Sequence, residues 1–350
     1  MASKVFIVTG ASKGLGAAIV EQLLAQSHKV VVTARSEEQL QKFKEAHPGQ
    51  VEYLAADITS SGIAEKLVDL AVTSFGRLDG VVINHGILEP AKLASESMDD
   101  IRRVYEINFF SYVAMAKASL DAVKKTKGCI LWVSSGAALK PYVAWSTYGS
   151  SKAAVNSMAS HLAVEEPDIT SITIGPGRVD TDMQATLRLK GKDTMDEKQY
   201  QSFVDAFQQG ALLKPEQPGG VMAKFVANPL HELSGQYLVL IHLYSILGRR
   251  AAARELPLCK PVSAAASSGA CAPLPFAEVL LEATDTHHQR QTSAARVKVP
   301  ALKYNKQQPP HRQSVWLGNI QHPSINSDPE RLTIASCRIL GSPKAPENPP

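Results

Sequence analysis

Short apolar runs alternate with longer amphipathic stretches from Lys4 to about Ile241. The runs are rich in Val and Ile, and between them apolar side chains recur at helical spacing. The pattern predicts strands joined by crossover helices, with the strands at Val5–Thr9, Val30–Thr33, Val51–Ala55, Gly80–Ile83, Cys129–Ser134, Thr170–Ile174 and Gln236–Ile241. Because these runs are apolar at nearly every position, both faces of each strand should be covered. We therefore expect a doubly wound α/β fold, in which a seven-stranded parallel sheet carries helices on both faces.

The alternation stops after residue 241. Of the 21 prolines, 13 follow Leu238, and the segment after Leu238 carries 13 Lys/Arg against 7 Asp/Glu. We expect residues 1–241 to form one domain and residues 242–350 to be a disordered basic tail rich in Pro, Ala and Ser. The alternative is that the tail is read-through of an unspliced intron, because the codon of Val239 begins with the dinucleotide GT.

Charge and cysteine usage exclude several classes of protein. A formal charge of +4 over 350 residues is too small for a dedicated nucleic-acid or membrane-surface binder. Four cysteines, without a CxxC pair or a His/Cys cluster, predict a reducing compartment and no metal site. We read no signal peptide, and the apolar run Tyr237–Leu247 is too short to cross a bilayer. We expect a cytoplasmic protein with neither a nucleic-acid nor a membrane partner.

A glycine-rich loop separates the first predicted strand from a helix expected over Ala17–Gln26. Glycines in such a loop let the backbone approach a pyrophosphate, and the helix N-terminus presents free N–H groups to it. The alternative is a purely structural tight turn, but the order of strand, loop and helix favours a Rossmann-type dinucleotide site. The candidate residues are Gly10, Ser12, Lys13, Gly14, Leu15 and Gly16.

The segment after the second strand indicates which dinucleotide binds. An NAD site places an acid here for the ribose 2′-hydroxyl, whereas this chain has Arg35 and Ser36. Together with Lys13 these residues favour the 2′-phosphate of NADP(H), unless the two basic side chains are ordinary solvated charges. Asp57, after the third strand, either accepts a hydrogen bond from the adenine amine or caps the following helix.

Three polar residues are candidates for catalysis. Tyr148 and Lys152 share one face of a helix predicted over Ser146–Glu165, and Ser135 ends the fifth strand. Without Ser135 the helical pair would be an ordinary surface pair. We expect the Lys152 ammonium to lower the pKa of Tyr148, so that the phenol gives a proton to a carbonyl oxygen during reduction. Ser135 would hydrogen-bond that oxygen.

The chain resembles the short-chain dehydrogenase/reductase family over residues 4 to about 241. The resemblance rests on the glycine loop, on the spacing of 13 residues between Ser135 and Tyr148, and on Asn84, Gly86, Asn108, Pro176, Gly177 and Thr181. It implies that Asn108 completes a catalytic tetrad by holding a water in a proton relay with Lys152. It also implies that Lys152 binds the nicotinamide ribose with Tyr148, that Val179 and Thr181 contact the carboxamide, and that the protein is a homodimer.

Two features bear on the branch of the family. His85 stands where the family usually has Ala, and we favour a packed loop histidine over a titrating one.

Residues 133–145 resemble fungal benzil reductases and sepiapterin-reductase-like members. Aromatic and apolar residues should surround the carbonyl site, although each could equally be a core or dimer contact. These are Leu139, Tyr142, Trp145 and Met183.

The sequence thus predicts an NADPH-dependent carbonyl reductase for a ketone or an aromatic 1,2-diketone. A cofactor-binding sensor or interaction module that keeps the fold without significant turnover is the alternative. The intact set of Asn108, Ser135, Tyr148 and Lys152 favours the enzyme, because the fold by itself hosts many functions.

Overall fold

Seven parallel strands form one sheet in the computed structural model, which describes residues 2–240. The strand order is β3-β2-β1-β4-β5-β6-β7. The strands are β1 (Val5–Thr9), β2 (Lys29–Ala34), β3 (Val51–Ala55), β4 (Gly80–Ile83), β5 (Cys129–Val133), β6 (Thr170–Gly175) and β7 (Tyr237–Val239). The predicted doubly wound parallel sheet is confirmed. Ile241 and the expected disordered tail, residues 242–350, lie outside the described residues, and so does the predicted domain boundary.

Nine α-helices are formed by residues 2–240 and connect or follow the strands. They are α1 (Gly14–Ala25), α2 (Glu37–Ala46), α3 (Ile63–Phe75), α4 (Met98–Tyr105), α5 (Ser111–Thr126), α6 (Ser146–Glu165), α7 (Asp182–Lys190), α8 (Glu197–Gln208) and α9 (Glu216–Ala227). A π-helical turn, Glu106–Phe110, separates α4 from α5. No helix of this part of the chain is long and apolar enough to cross a membrane.

The two faces of the sheet bury separate apolar cores, because side chains alternate between the faces along each strand. Phe6 and Val8 point into a core shared with α1 and α9, whereas Val5 and Ile7 point into a core shared with α3, α5 and α6. The strands are therefore covered on both sides, as their continuous apolar character predicts.

The strand order reverses at β1, which pairs with β2 on one side and β4 on the other. In open α/β sheets ligands bind outside the carboxyl ends of the strands at such a switch point. The loops after β1, β4, β5 and β6 meet at this edge, and they carry most of the predicted site residues.

The start of the first helix is the largest error among the predicted element bounds. We expected it at Ala17, but α1 begins at Gly14. The low helix propensity of glycine conceals the first turn in the sequence, because Gly14 and Gly16 read as loop residues. At the other end of the sheet, β7 begins at Tyr237, one residue later than predicted.

Candidate active site

The glycine loop folds tightly against the loop after β4. Gly10 has a φ of 65°, and a Cβ atom there would lie 2.9 Å from the backbone of His85. A Cβ atom at Gly16 would overlap the Gly10 carbonyl oxygen. The Asn84 side-chain amide donates to the Thr9 and Gly10 carbonyl oxygens at 3.1 and 3.2 Å. Asn84 therefore holds the loop in shape from the neighbouring strand.

The N-terminus of α1 is available to an anion. Lys13 precedes the helix in extended conformation, its side chain makes no capping hydrogen bond, and no acidic residue lies in the first turn. The first N–H groups of the helix and the positive end of its dipole thus meet the requirement of a pyrophosphate site. Ser12 is half-buried in the same loop, and Leu15 is buried beneath it.

The loop after β6 closes over the glycine loop. A Cβ atom at Gly14 would lie 3.1 Å from the Thr181 methyl group, and the Lys13 ammonium lies 2.5 Å from the Asp182 carboxylate. Pro176 and Gly177 turn the chain out of β6, and Gly177 has a φ of 83°. Val179 is buried next to Thr181. The structure therefore brings these predicted cofactor residues together.

Arg35 and Ser36 lie at the N-terminus of α2. Arg35 is exposed, and Ser36 is the N-cap residue, whose side chain makes no capping hydrogen bond. The Asp57 carboxylate accepts hydrogen bonds from the Thr59 N–H and hydroxyl groups, and these lower its pKa. The alternative that Asp57 caps a helix is wrong, because α3 begins only after Gly62.

Tyr148 and Ser135 meet at the end of β5. Tyr148 is 8% exposed and lies near the Ser135 hydroxyl, which accepts a hydrogen bond from the Ala137 N–H group at 3.2 Å. Burial raises the pKa of Tyr148, and the nearby Ser135 hydroxyl lowers it by less. The phenol thus keeps its proton at neutral pH and can give it to an acceptor.

The Lys152 ammonium is buried one helical turn from Tyr148 but bonds elsewhere. It donates to the Tyr112 hydroxyl and to the Val133 carbonyl oxygen, both at 2.9 Å. Burial lowers the pKa of Lys152 to about 7. Our expectation that Lys152 lowers the pKa of Tyr148 is wrong for this structure, because the ammonium is engaged by other oxygens and burial dominates at the phenol.

Asn108 lies in the π-helical turn and is fully buried. Its side chain accepts from the Ile87 N–H group and donates to the Ile87 carbonyl oxygen, both at 2.9 Å. A Cβ atom at Gly86 would lie 3.2 Å from Asn108 Oδ1 and 3.6 Å from Lys152 Nζ. Gly86 therefore leaves the space beside both groups open. π-Helical turns are rare and often mark functional sites.

His85 is packed between the glycine loop and α5. Its Nδ1 and Nε2 atoms lie 2.8 Å from the Thr9 hydroxyl and 2.7 Å from the Ser111 hydroxyl. Since Ser111 donates its own proton to the Ile107 carbonyl oxygen, we assign the hydrogen of the neutral ring to Nε2. Burial and the Lys152 charge lower the pKa of His85 to about 3. The packed histidine that we favoured agrees with these contacts.

An aromatic and apolar cluster packs against Tyr148. The Trp145 ring lies 5.8 Å from the Tyr148 ring, 5.0 Å from Tyr142 and 5.5 Å from Phe203. Met183 packs on this cluster, whereas Leu139 is exposed. Leu139, Tyr142 and Trp145 line a surface cavity of about 330 Å³. Ser135 and Tyr148 are not among the described residues that line it.

A family model described as short chain dehydrogenase matches residues 4–192. An uncharacterized oxidoreductase of Saccharomyces cerevisiae is 38% identical over 240 residues, which are 67% of this chain and 94% of the relative. The chain belongs to the short-chain dehydrogenase/reductase family. It is therefore an oxidoreductase that binds a nicotinamide cofactor and acts on a small molecule.

One further relative and one crystal structure indicate which members of the family this short-chain dehydrogenase/reductase resembles. A benzil reductase of Saccharomyces cerevisiae that forms (S)-benzoin is 38% identical over 249 residues, covering 67% of this chain and 95% of the relative. The crystal structure of the KRED1-Pglu enzyme is 44% identical, with a TM-score of 0.66, and covers 67% of this chain and 100% of that structure. The resemblance to benzil reductases is confirmed.

Sequence reasoning missed Tyr112 in this oxidoreductase. The residue is fully buried, and its hydroxyl contacts the Lys152 ammonium. It follows Asn108 by four residues, so helical spacing places it on the same face. That spacing is the only signal in the sequence, and it becomes informative only once Asn108 has been recognised.

Proposed function

We propose that this oxidoreductase uses NADPH to reduce the carbonyl group of a ketone or of an aromatic 1,2-diketone, with Tyr148 as the proton donor. The observation that carries the proposal is the buried phenol of Tyr148, which lies near the Ser135 hydroxyl and in contact with the Trp145 ring. A protonated phenol beside a second hydroxyl is the arrangement that carbonyl reduction requires.

The chemistry divides between the cofactor and the chain. When bound, the nicotinamide supplies a hydride to the carbonyl carbon. Tyr148 gives its proton to the carbonyl oxygen, and Ser135 hydrogen-bonds that oxygen while negative charge develops on it. With the cofactor bound, Lys152 would bind the nicotinamide ribose and, through a water held at Asn108, would return a proton to Tyr148. One hydride and one proton convert the ketone to an alcohol.

Side chains at the N-termini of α1 and α2 favour NADPH over NADH. Arg35 is exposed, and the hydroxyl of the neighbouring N-cap residue Ser36 makes no capping hydrogen bond. Neither position holds an acidic residue that would repel a phosphate. The Lys13 ammonium already pairs with Asp182, but both side chains are more than two-thirds exposed, so the ion pair is weak and can exchange for a phosphate. The charge of Arg35 contributes to lowering the pKa of Asp57, so the two side chains are near each other. The Asp57 carboxylate would accept a hydrogen bond from the adenine amine.

An aromatic substrate is favoured by the wall of the site. Tyr142, Trp145 and Met183 belong to the same apolar cluster as Tyr148, and their rings and thioether suit a bulky apolar group better than a polar aldehyde. The benzil reductase relative, named for an aromatic 1,2-diketone, supports the same class.

NADPH oxidation by the purified full chain tests the proposal. The assay uses benzil, with NADH in place of NADPH and a small polar aldehyde in place of benzil as the two comparisons. We expect turnover of benzil with NADPH that exceeds both comparisons about tenfold or more. Turnover of small aldehydes without benzil would contradict the substrate class. Tight NADPH binding, followed by fluorescence, without turnover of any carbonyl in a broad panel would favour the sensor.

We expect the protein to form a homodimer and to be located in the cytoplasm. The dimer interface would be formed by the helices around Asn108 and Tyr148, where aromatic side chains lie close together and Phe110 is 53% exposed. Sedimentation of the full chain tests it. Subcellular fractionation tests the cytoplasmic location.

A further inference from the structure

Lys152 is a buried ammonium that makes two hydrogen bonds, to the Tyr112 hydroxyl and the Val133 carbonyl oxygen. No carboxylate pairs with it among residues 2–240. The ammonium also lies over the Tyr112 ring, 4.4 Å from its centroid. Because an ammonium has three donors, one N–H group is left for a further acceptor.

The Tyr112 hydroxyl is itself fixed. It donates to the His85 carbonyl oxygen at 2.5 Å, which leaves its lone pairs to accept from Lys152. The ring packs edge-on against His85 at 4.7 Å and stacks on Trp132 at 6.4 Å. Burial holds the pKa of Tyr112 well above its usual value, so the hydroxyl stays neutral. Loop, helix and sheet together hold this oxygen in place.

We propose that Tyr112 is a positioning residue that anchors the Lys152 ammonium and keeps it charged, so that its remaining N–H group serves the cofactor and the proton relay. The proposal rests on the role of Lys152 in the proposed function. Gly86 leaves open the space next to Nζ, and Asn108 borders the same space. Tyr112 follows Asn108 by one helical turn. Tyr112 contacts Lys152 directly, and Asn108 lies across the space at Gly86 from the ammonium.

The positive charge of Lys152 is stabilised by two neutral oxygen acceptors, the Tyr112 hydroxyl and the Val133 carbonyl. The titratable groups that face it are Tyr112 from α5, His85 from the loop after β4 and Tyr148 from its own helix, and Asp57 acts on His85 from the loop after β3. None of the first three is negatively charged at neutral pH. With the Tyr112 oxygen removed, one acceptor remains, and the ammonium loses its proton at lower pH.

Replacement of Tyr112 by Phe removes the oxygen and keeps the ring. In benzil reduction with NADPH, we expect the alkaline limb of the kcat/KM profile to move down by about one pH unit. At pH 8 kcat/KM should fall about tenfold, whereas at pH 6 it should stay within about twofold of wild type. Tyr105→Phe is the matched control, because Tyr105 belongs to α4 and its hydroxyl makes no hydrogen bond within residues 2–240.

A loss of the same size at every pH would mean that Tyr112 acts only in packing, and no change would overturn the proposal too. If benzil is not a substrate, the affinity for NADPH decides: Tyr112→Phe should bind it more weakly at pH 8 than at pH 6, relative to wild type. An unchanged ratio contradicts the anchoring role whatever the substrate.

A wild-type measurement serves if Tyr112→Phe does not fold. In full-chain protein with ¹³C at the tyrosine Cζ position, one resonance should shift with a midpoint near pH 7, as Lys152 titrates. The shift should vanish in Lys152→Met. Absence of any such resonance between pH 6 and 9 contradicts the contact.

Discussion

The proposed preference for NADPH rests on Arg35. We expect Arg35→Ala to raise KM for NADPH about tenfold, because a charge-assisted contact to a phosphate is lost, and to leave KM for NADH within about twofold. Steady-state kinetics with both cofactors measure this. Arg102→Ala is the control, since Arg102 is a similarly exposed arginine that pairs with Asp99. An equal rise for both cofactors would show that Arg35 does not contact the 2′-phosphate.

His85 supports the loop without titrating. We expect His85→Ala to lower Tm by about 4–8 °C, because the contacts to Thr9 and Ser111 and the packing on Tyr112 are lost. Since the pKa of His85 is about 3, the ring is neutral in the wild type at every pH above about 4. The pH profile of activity between pH 5 and 8 should therefore keep its shape in the variant. A limb that disappears from this range would contradict the assignment of a neutral ring.

Among the structural elements, the glycine loop and α1 act as one unit. We expect Gly16→Ala to weaken NADPH binding at least about tenfold, because a Cβ atom there overlaps the Gly10 carbonyl oxygen and the loop must move. Gly220→Ala is the matched control: in α9 a Cβ atom would make ordinary contact with Gln22 at 3.6 Å, so it should stabilise the helix by about 0.5–1 kcal/mol. Fluorescence titration and thermal melting measure both. Unchanged binding in Gly16→Ala would contradict the tight packing of the loop.

The same elements show what the sequence could predict. Strands such as β1 and β4 were predicted with their exact bounds because continuous apolar runs between polar loops have one interpretation in a parallel sheet. The π-helical turn was not predicted, since its extra residue changes hydrogen bonding without changing the apolar pattern. The candidate catalytic residues could be named from motif spacing and the family resemblance, but the partner of Lys152 could not. The partner is Tyr112, and its contact with the ammonium depends on how closely α5 packs against the sheet. The sequence pattern does not contain that distance.

At the scale of the whole molecule, cofactor binding should stabilise the fold. A ligand at 100 times its Kd adds about 2.7 kcal/mol to the free energy of unfolding. For a domain of this size we expect NADPH at that concentration to raise Tm by about 5–10 °C, and NADH at the same concentration to raise it less. Differential scanning fluorimetry of the full chain measures the two shifts. Equal shifts would contradict the preference for NADPH.

The comparison of wild type with Tyr148→Phe tests the central claim most directly. The substitution removes one hydroxyl from a buried ring and leaves the contacts of Trp145 in place. With NADPH and benzil, we predict that kcat falls at least about 10²-fold, the size of effect expected for a general acid, while Kd for NADPH changes less than about threefold. A variant that keeps more than about a tenth of the wild-type kcat would contradict the assignment of Tyr148 as the proton donor.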